Sequence, residues 1–181
     1  MRLEIRVAGF GGQGIIRTGL MLAIAACIHG DKNAVQTQSY GPESRGGACK
    51  SEVVISDEKI DFPKVVDPDV LIAMSQEAYD MYVDTVKKSG TILLDPDLVQ
   101  KQKASSSRVF KVPATRMAEQ LGKTIVANVV MLGAFTSLTN LVSVEALKKS
   151  VLDNVPKGTE KLNLAAFEKG YAYGKRLLKE K

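Results

Sequence analysis

Gly9-Phe10-Gly11-Gly12-Gln13-Gly14 follows directly on the apolar stretch 3–8, the setting in which a strand turns sharply into a helix. Closely spaced glycines there leave backbone N–H groups facing outward at a helix N-terminus, which is the geometry of a phosphate or pyrophosphate site. A second dense segment is Ser39-Tyr40-Gly41-Pro42-Glu43-Ser44-Arg45-Gly46-Gly47. Pro42 fixes one backbone angle, and Gly41, Gly46 and Gly47 allow positive φ or close approach. Tyr40 adds an aromatic face for stacking or a partner contact, and Arg45 a guanidinium suited to phosphate or carboxylate. A turn pinned by its own Glu43–Arg45 pair is the plainer reading of the same residues. The candidate binding residues are therefore Gly9, Gly11, Gly12, Gln13, Gly14, Ser39, Tyr40, Gly41, Glu43, Arg45 and Gly46, with no candidate catalytic residue and no metal ligand.

Other chemistry is missing. A dinucleotide site would want an Asp or Glu at the end of the second strand for the ribose hydroxyls, and the sequence offers Gln38 and Ser39. Asp31 falls before that strand, at the wrong end of the sheet. The single histidine, His29, sits at the predicted end of the first helix, where a cation suits the dipole. There is no Gly-x-Ser-x-Gly elbow, and Arg17 after the glycine turn does not reproduce the Gly-Lys-Ser/Thr arrangement that holds a nucleoside triphosphate.

The elements that must position these residues alternate. Strands are expected over 3–7, 34–38, 48–56, 69–74, 91–95 and 108–112, from period-two alternation or short continuous apolar runs. A helix over 15–28 has so little polar surface that it should be buried on most sides, and Gly30 is placed to end it in the left-handed conformation. Ser75 caps a helix over 76–88 with Glu77 early and lysines late. Residues 101–107 form a polar surface loop, and helices over 114–122, 125–141, 144–154 and 162–179 complete the chain. The pattern predicts an α/β fold, a three-layer sandwich with a mostly parallel Rossmann-like sheet and a helical C-terminal third.

At 181 residues, with 45% hydrophobic and 25% charged, the chain suits one domain over 1–181. A net charge of +5, scattered along the chain, reads as a solvated face and points to no nucleic acid. Cys27 and Cys49 are isolated, as in a reduced cytosolic protein, and the apolar segment 20–28 is too short for a bilayer. A cytoplasmic protein with no membrane contact is expected.

The two motifs, with Ser51-Glu52-Val53, Ile60-Asp61-Phe62-Pro63, the strand and helix start at 69–76, and Asn128-Val129-Val130-Met131-Leu132-Gly133-Ala134, closely resemble the gamma subunit of 2-oxoacid:ferredoxin oxidoreductases over essentially the whole chain. The resemblance implies a multisubunit enzyme that converts a 2-oxoacid and coenzyme A to acyl-CoA and carbon dioxide while reducing ferredoxin. It places thiamine diphosphate and magnesium on alpha and beta subunits, and iron–sulfur clusters on cysteine-rich parts such as a ferredoxin-like delta subunit, none of them on this chain alone. Coenzyme A is the substrate that this chain would contact. Gly-Pro-Glu-Ser-Arg-Gly-Gly is more similar to the 2-oxoglutarate enzymes than to the pyruvate enzymes' Gly-x-Glu-Arg-Arg-Gly-Ala. Pyruvate or branched-chain relatives, a stand-alone dinucleotide-binding protein and a purely structural subunit remain as alternatives, and self-association of the isolated chain is compatible with any subunit reading.

Overall fold

A computed structural model describes residues 1–40 and 48–180. Six strands form one sheet: β1 Arg2–Phe10, β2 Asn33–Tyr40, β3 Ala48–Ser56, β4 Val70–Ala73, β5 Thr91–Leu94 and β6 Arg108–Lys111, in the order β2-β3-β1-β4-β5-β6. The pairs β1–β4, β4–β5 and β5–β6 are parallel, whereas β3 is antiparallel to both β1 and β2. Five strands therefore run one way and β3 alone runs the other. The reason is the connection: only residues 41–47 separate β2 from β3, too few for the crossover that a parallel return requires. β3 consequently inserts between β2 and β1, and β2 becomes an edge strand.

Alternation along β1 assigns the two faces. Leu3, Ile5 and Val7 point into the larger core beneath α1 (Ile15–Cys27) and α4 (Ala127–Thr139). Glu4 and Arg6 point to the other face, which α2 (Gln76–Tyr82) partly covers. A buried charge needs partners. Arg6 has them in Glu52 at 2.7 Å, the Thr85 hydroxyl at 2.8 Å and the Val65 carbonyl at 3.0 Å, and its guanidinium lies over the Tyr82 ring.

The helices α3 (Ala114–Glu119), α5 (Val144–Asn154) and α6 (Glu160–Lys179) complete the chain. Sequence and structure differ at particular ends. The helix after Ser75 stops at Tyr82 and tightens into a 3-10 turn at Val83–Thr85, where the Thr85 hydroxyl donates to the Tyr82 carbonyl. The late lysines fall beyond it, and Lys87 pairs instead with Asp69 at 2.7 Å. Gly30 does not take the left-handed position; Asp31 does, at φ 54°. Gly30 serves close approach, since a Cβ there would lie 2.8 Å from the Ala26 carbonyl oxygen.

The first helix, α1, is buried over most of its surface, as its composition predicts, and α4 is buried on every side. Residues 127–138 are all buried, and α4 crosses α6 at backbone contact. A Cβ on Gly170 would lie 1.9 Å from the Val130 carbonyl oxygen, and one on Gly133 would lie 2.0 Å from that of Phe167. Neither contact can be relieved by rotating a side chain, so the helices themselves would have to separate. Gly170→Ala is expected to destabilise the fold by about 1–3 kcal/mol, read as a lowered midpoint in urea unfolding.

Candidate functional site

The C-terminal ends of β1, β4, β5 and β6 share one edge of the sheet, where ligands of open α/β sheets bind. There the chain leaves β1 through the glycine turn, and Gln13 builds that turn. Its Oε1 accepts from the Phe10 N–H at 2.7 Å, its own N–H donates to the Phe10 carbonyl at 3.2 Å, and its Nε2 donates to the Met74 carbonyl at 2.7 Å. The last bond ties the turn to the end of β4. Gly9 is obligatory because a Cβ would lie 2.4 Å from Gln13 Oε1 and 3.0 Å from the Met74 Cβ.

Gly12 and Gly14 lie at φ 95° and 74°, conformations that side-chain-bearing residues disfavour. Gly14 is also the residue that precedes α1, and a Cβ there would sit 2.5 Å from Asn128 Nδ2. Asn128 is buried, and its amide donates to the Gly14 carbonyl at 3.4 Å and to the Thr18 hydroxyl at 3.3 Å. The Thr18 hydroxyl in turn donates to the Gly14 carbonyl at 2.9 Å. The start of α1 is thereby anchored to α4. No side chain caps it and no acid occupies its first turn, so the positive end of its dipole is left for an external anion.

Two hollows flank this turn, each close to 200 Å³. One, of 190 Å³, lies between Gly12, Gln13, Met74 and Thr115; the other, of 180 Å³, lies between Gly14, Arg17, Lys123 and Asn128, with apolar walls. Ile125 borders both. Arg17 and Lys123 are exposed and, among the described residues, in no ion pair, so two cations reinforce the helix dipole at this place. Asp95, fully buried at the end of β5, is spoken for: it accepts from the Thr115 N–H and hydroxyl, both at 2.7 Å, and fixes the start of α3.

The residues singled out in the sequence do not all meet. Gly9, Gly11, Gly12, Gln13 and Gly14 form one turn, in which Gly9 and Gln13 face inward as framework while Gly11 and Gly12 are exposed. Ser39 and Tyr40 are exposed at the same sheet edge, but β3 stands between them and β1: Tyr40 and Gly9 both pair with Cys49, so they are two strands apart. Gly41, Glu43, Arg45 and Gly46 lie outside the described residues. Arg17 was detectable by its place in the first helical turn; nothing local in the sequence marks Lys123, which the fold delivers from beyond α3. His29 sits near the opposite end of α1, bonded to Asp153 at 3.2 Å. Burial pushes the Cys49 thiol up from its ordinary value, Cys27 is exposed, and no group of three His, Cys, Asp or Glu able to hold a metal occurs among the described residues.

The family model for pyruvate ferredoxin/flavodoxin oxidoreductase matches residues 4–173. The chain belongs to this family. It is 59% identical over 180 residues to 2-oxoglutarate synthase subunit KorC of Methanocaldococcus jannaschii, covering 98% of this chain and 96% of that one. Its fold superposes with a TM-score of 0.89 and 44% identity on a keto/oxoacid ferredoxin oxidoreductase gamma subunit from Geobacter sulfurreducens, covering 96% and 97% of the two chains. A 2-oxoglutarate:ferredoxin oxidoreductase from Magnetococcus marinus, with 2-oxoglutarate, coenzyme A and succinyl-CoA bound, superposes at 0.88 with 29% identity; the match covers 97% of this chain and 31% of that one. In this family the same module thus stands alone or forms under a third of a longer chain.

The framework role of Gln13 is open to test. Gln13→Leu strands the buried Met74 carbonyl without its donor and removes the acceptor of the Phe10 N–H. A loss of about 1–3 kcal/mol is expected, measured by urea unfolding.

Proposed function

We propose that this chain is the gamma subunit of a 2-oxoglutarate:ferredoxin oxidoreductase, and that its own task is to hold coenzyme A by its phosphates at the glycine turn. The assembly converts 2-oxoglutarate and coenzyme A to succinyl-CoA and carbon dioxide while ferredoxin takes up the electrons. The observation that carries the substrate is the 59% identity to a 2-oxoglutarate synthase subunit across nearly the full length of both chains. The carbanion and electron-transfer steps belong to partner subunits, the alpha and beta chains with thiamine diphosphate and a ferredoxin-like chain with iron–sulfur clusters. Two cysteines cannot ligate a four-iron cluster, which takes four thiolates.

The coenzyme A contact rests on electrostatics. Exposed Gly11 and Gly12, the uncapped start of α1, and the unpaired Arg17 and Lys123 give a concentrated positive field beside apolar hollows. Coenzyme A presents phosphates together with a long, largely uncharged arm, and the site offers a place for each. Arg45, in the segment that follows Tyr40, is the further guanidinium assigned to this ligand on its sequence motif alone.

Isothermal titration of coenzyme A into the assembled complex tests the assignment. A charge-assisted hydrogen bond is worth about 1.5–3 kcal/mol, so Arg17→Ala and Arg45→Ala are each expected to weaken binding about ten- to hundredfold. Unchanged affinity in both variants would remove coenzyme A from this chain. Ferredoxin reduction by the same complex, compared across 2-oxoglutarate, pyruvate and branched-chain 2-oxoacids, tests the substrate separately, with 2-oxoglutarate expected to give the highest kcat/KM.

A further inference from the structure

Three helices begin around the hollow that Gly14, Arg17, Lys123 and Asn128 border. Gly14 precedes α1, Val126 precedes α4 and Thr159 precedes α6, and all three residues line it. Among the described residues no side chain caps any of these starts, and no acidic residue lines the hollow. Positive dipole ends and two cations therefore face one small space.

Its interior presents acceptors instead. Asn128 and Asn163 are each 6% exposed, and both line the hollow. Asn128 Nδ2 is committed to Gly14 and Thr18, and Asn163 Nδ2 to the Thr159 carbonyl at 3.0 Å and the Thr159 hydroxyl at 3.1 Å. A carbonyl can only accept, so these bonds fix which corner of each amide is the oxygen. Neither Oδ1 has a partner among the described residues. Neither is sealed in protein, because no fully buried side-chain oxygen or nitrogen there lacks a hydrogen bond, so both open on the hollow. The walls beside them are apolar, with Met21, Val129, Pro156 and Leu162.

We propose that this hollow is a purine pocket, which takes the adenine ring of an adenine nucleotide. The flat ring lies between the apolar walls, its exocyclic amine gives one N–H to Asn128 and one to Asn163, and the nucleotide's phosphates meet Arg17, Lys123 and the start of α1. A dry cavity of about 150 Å³ admits a benzene ring. The hollow, at 180 Å³ and open where Arg17 and Lys123 are exposed, has room for one purine. Guanine and hypoxanthine would set a carbonyl oxygen against the two acceptors and are rejected for it. The adenine belongs either to a free nucleotide or to the adenosine end of coenzyme A, and only in the second case does the proposal rest on the coenzyme A reading. A hollow walled by α1, α4 and α6 of this one chain suits the end of that coenzyme which does not react, since the thiol must reach chemistry on other subunits.

Isothermal titration of ADP into the assembled complex, against inosine diphosphate in which a carbonyl replaces the amine, tests it. ADP is expected to bind about tenfold more tightly, because a buried acceptor left unpaired costs affinity. Asn163→Leu keeps the volume and removes the oxygen; it is expected to weaken ADP and to bring the two nucleotides within about twofold, whereas a merely structural loss would weaken both alike. If that variant fails to fold, Leu162→Trp, at a half-buried wall residue, fills the hollow and should abolish ADP binding. No binding of ADP, equal affinity for the two nucleotides, or binding and preference untouched by these substitutions would each overturn the proposal. Saturating coenzyme A separates the two sources: displacement of ADP assigns the hollow to the coenzyme's adenosine end, and simultaneous binding makes it a separate nucleotide site. Coenzyme A binding that depends on Arg17, with no preference for ADP, would leave the coenzyme A reading standing and the purine pocket refuted, so the two failures are distinguishable.

Discussion

The crossing of α4 over α6 is the contact on which the remaining structure depends. At Gly133 and Gly170 the two helices meet backbone to backbone, closer than any side chain allows. That approach seats α4 wholly inside the larger core, and the first turn of α4 carries Asn128 to the start of α1. The geometry of the glycine turn is thus set from two directions. Gln13 ties it to β4, and Asn128 ties it to α4. The proposed phosphate contact through backbone N–H groups requires those groups to be held still, because their orientation cannot be adjusted by a rotamer.

The same arrangement separates the glycine pattern from that of a doubly wound dinucleotide fold. In a doubly wound dinucleotide fold the strand after the first helix returns beside β1 and brings an acid to the ribose. Here β3 occupies that place in the reverse direction, and β2 is displaced to the edge. The face of β1 and β3 opposite the main core carries instead the buried Arg6–Glu52 pair under Tyr82. What remains at the sheet edge is the uncapped start of α1 beside Arg17 and Lys123, which among the described residues are in no ion pair. That suits the proposed role of a subunit contributing one wall of a cleft whose reactive groups sit on other chains. The occurrence of this module both as a separate chain and as part of a longer one accords with that division of labour.

Much of the architecture was legible because it is written locally. Period-two alternation gave the strand at Ala48–Ser56 with both of its ends, and Ser143 marked the start of the helix at Val144–Asn154, where its hydroxyl does accept from Ala146. Helix ends were read less well wherever a long-range contact competes with the local signal. Lys87 leaves the helix for Asp69, and Asp31 takes the left-handed position that Gly30 was suited to fill. The apolar character of α1 was also visible, and burial on most sides was the natural expectation. The structure bears this out, with Arg17, Leu20 and Cys27 the exposed positions of the helix.

The sequence by itself determined the order of strands and helices, the glycine turn after β1 and the resemblance that names the family, since each depends on residue types within a short window. Only the tertiary structure decided that β3 separates β2 from β1, that Asn128 locks Gly14, and that Lys123 joins Arg17 beside the turn. These relations join residues far apart in the chain. No local pattern encodes them, because they exist only once backbone pairing and close helix packing have excluded every other arrangement.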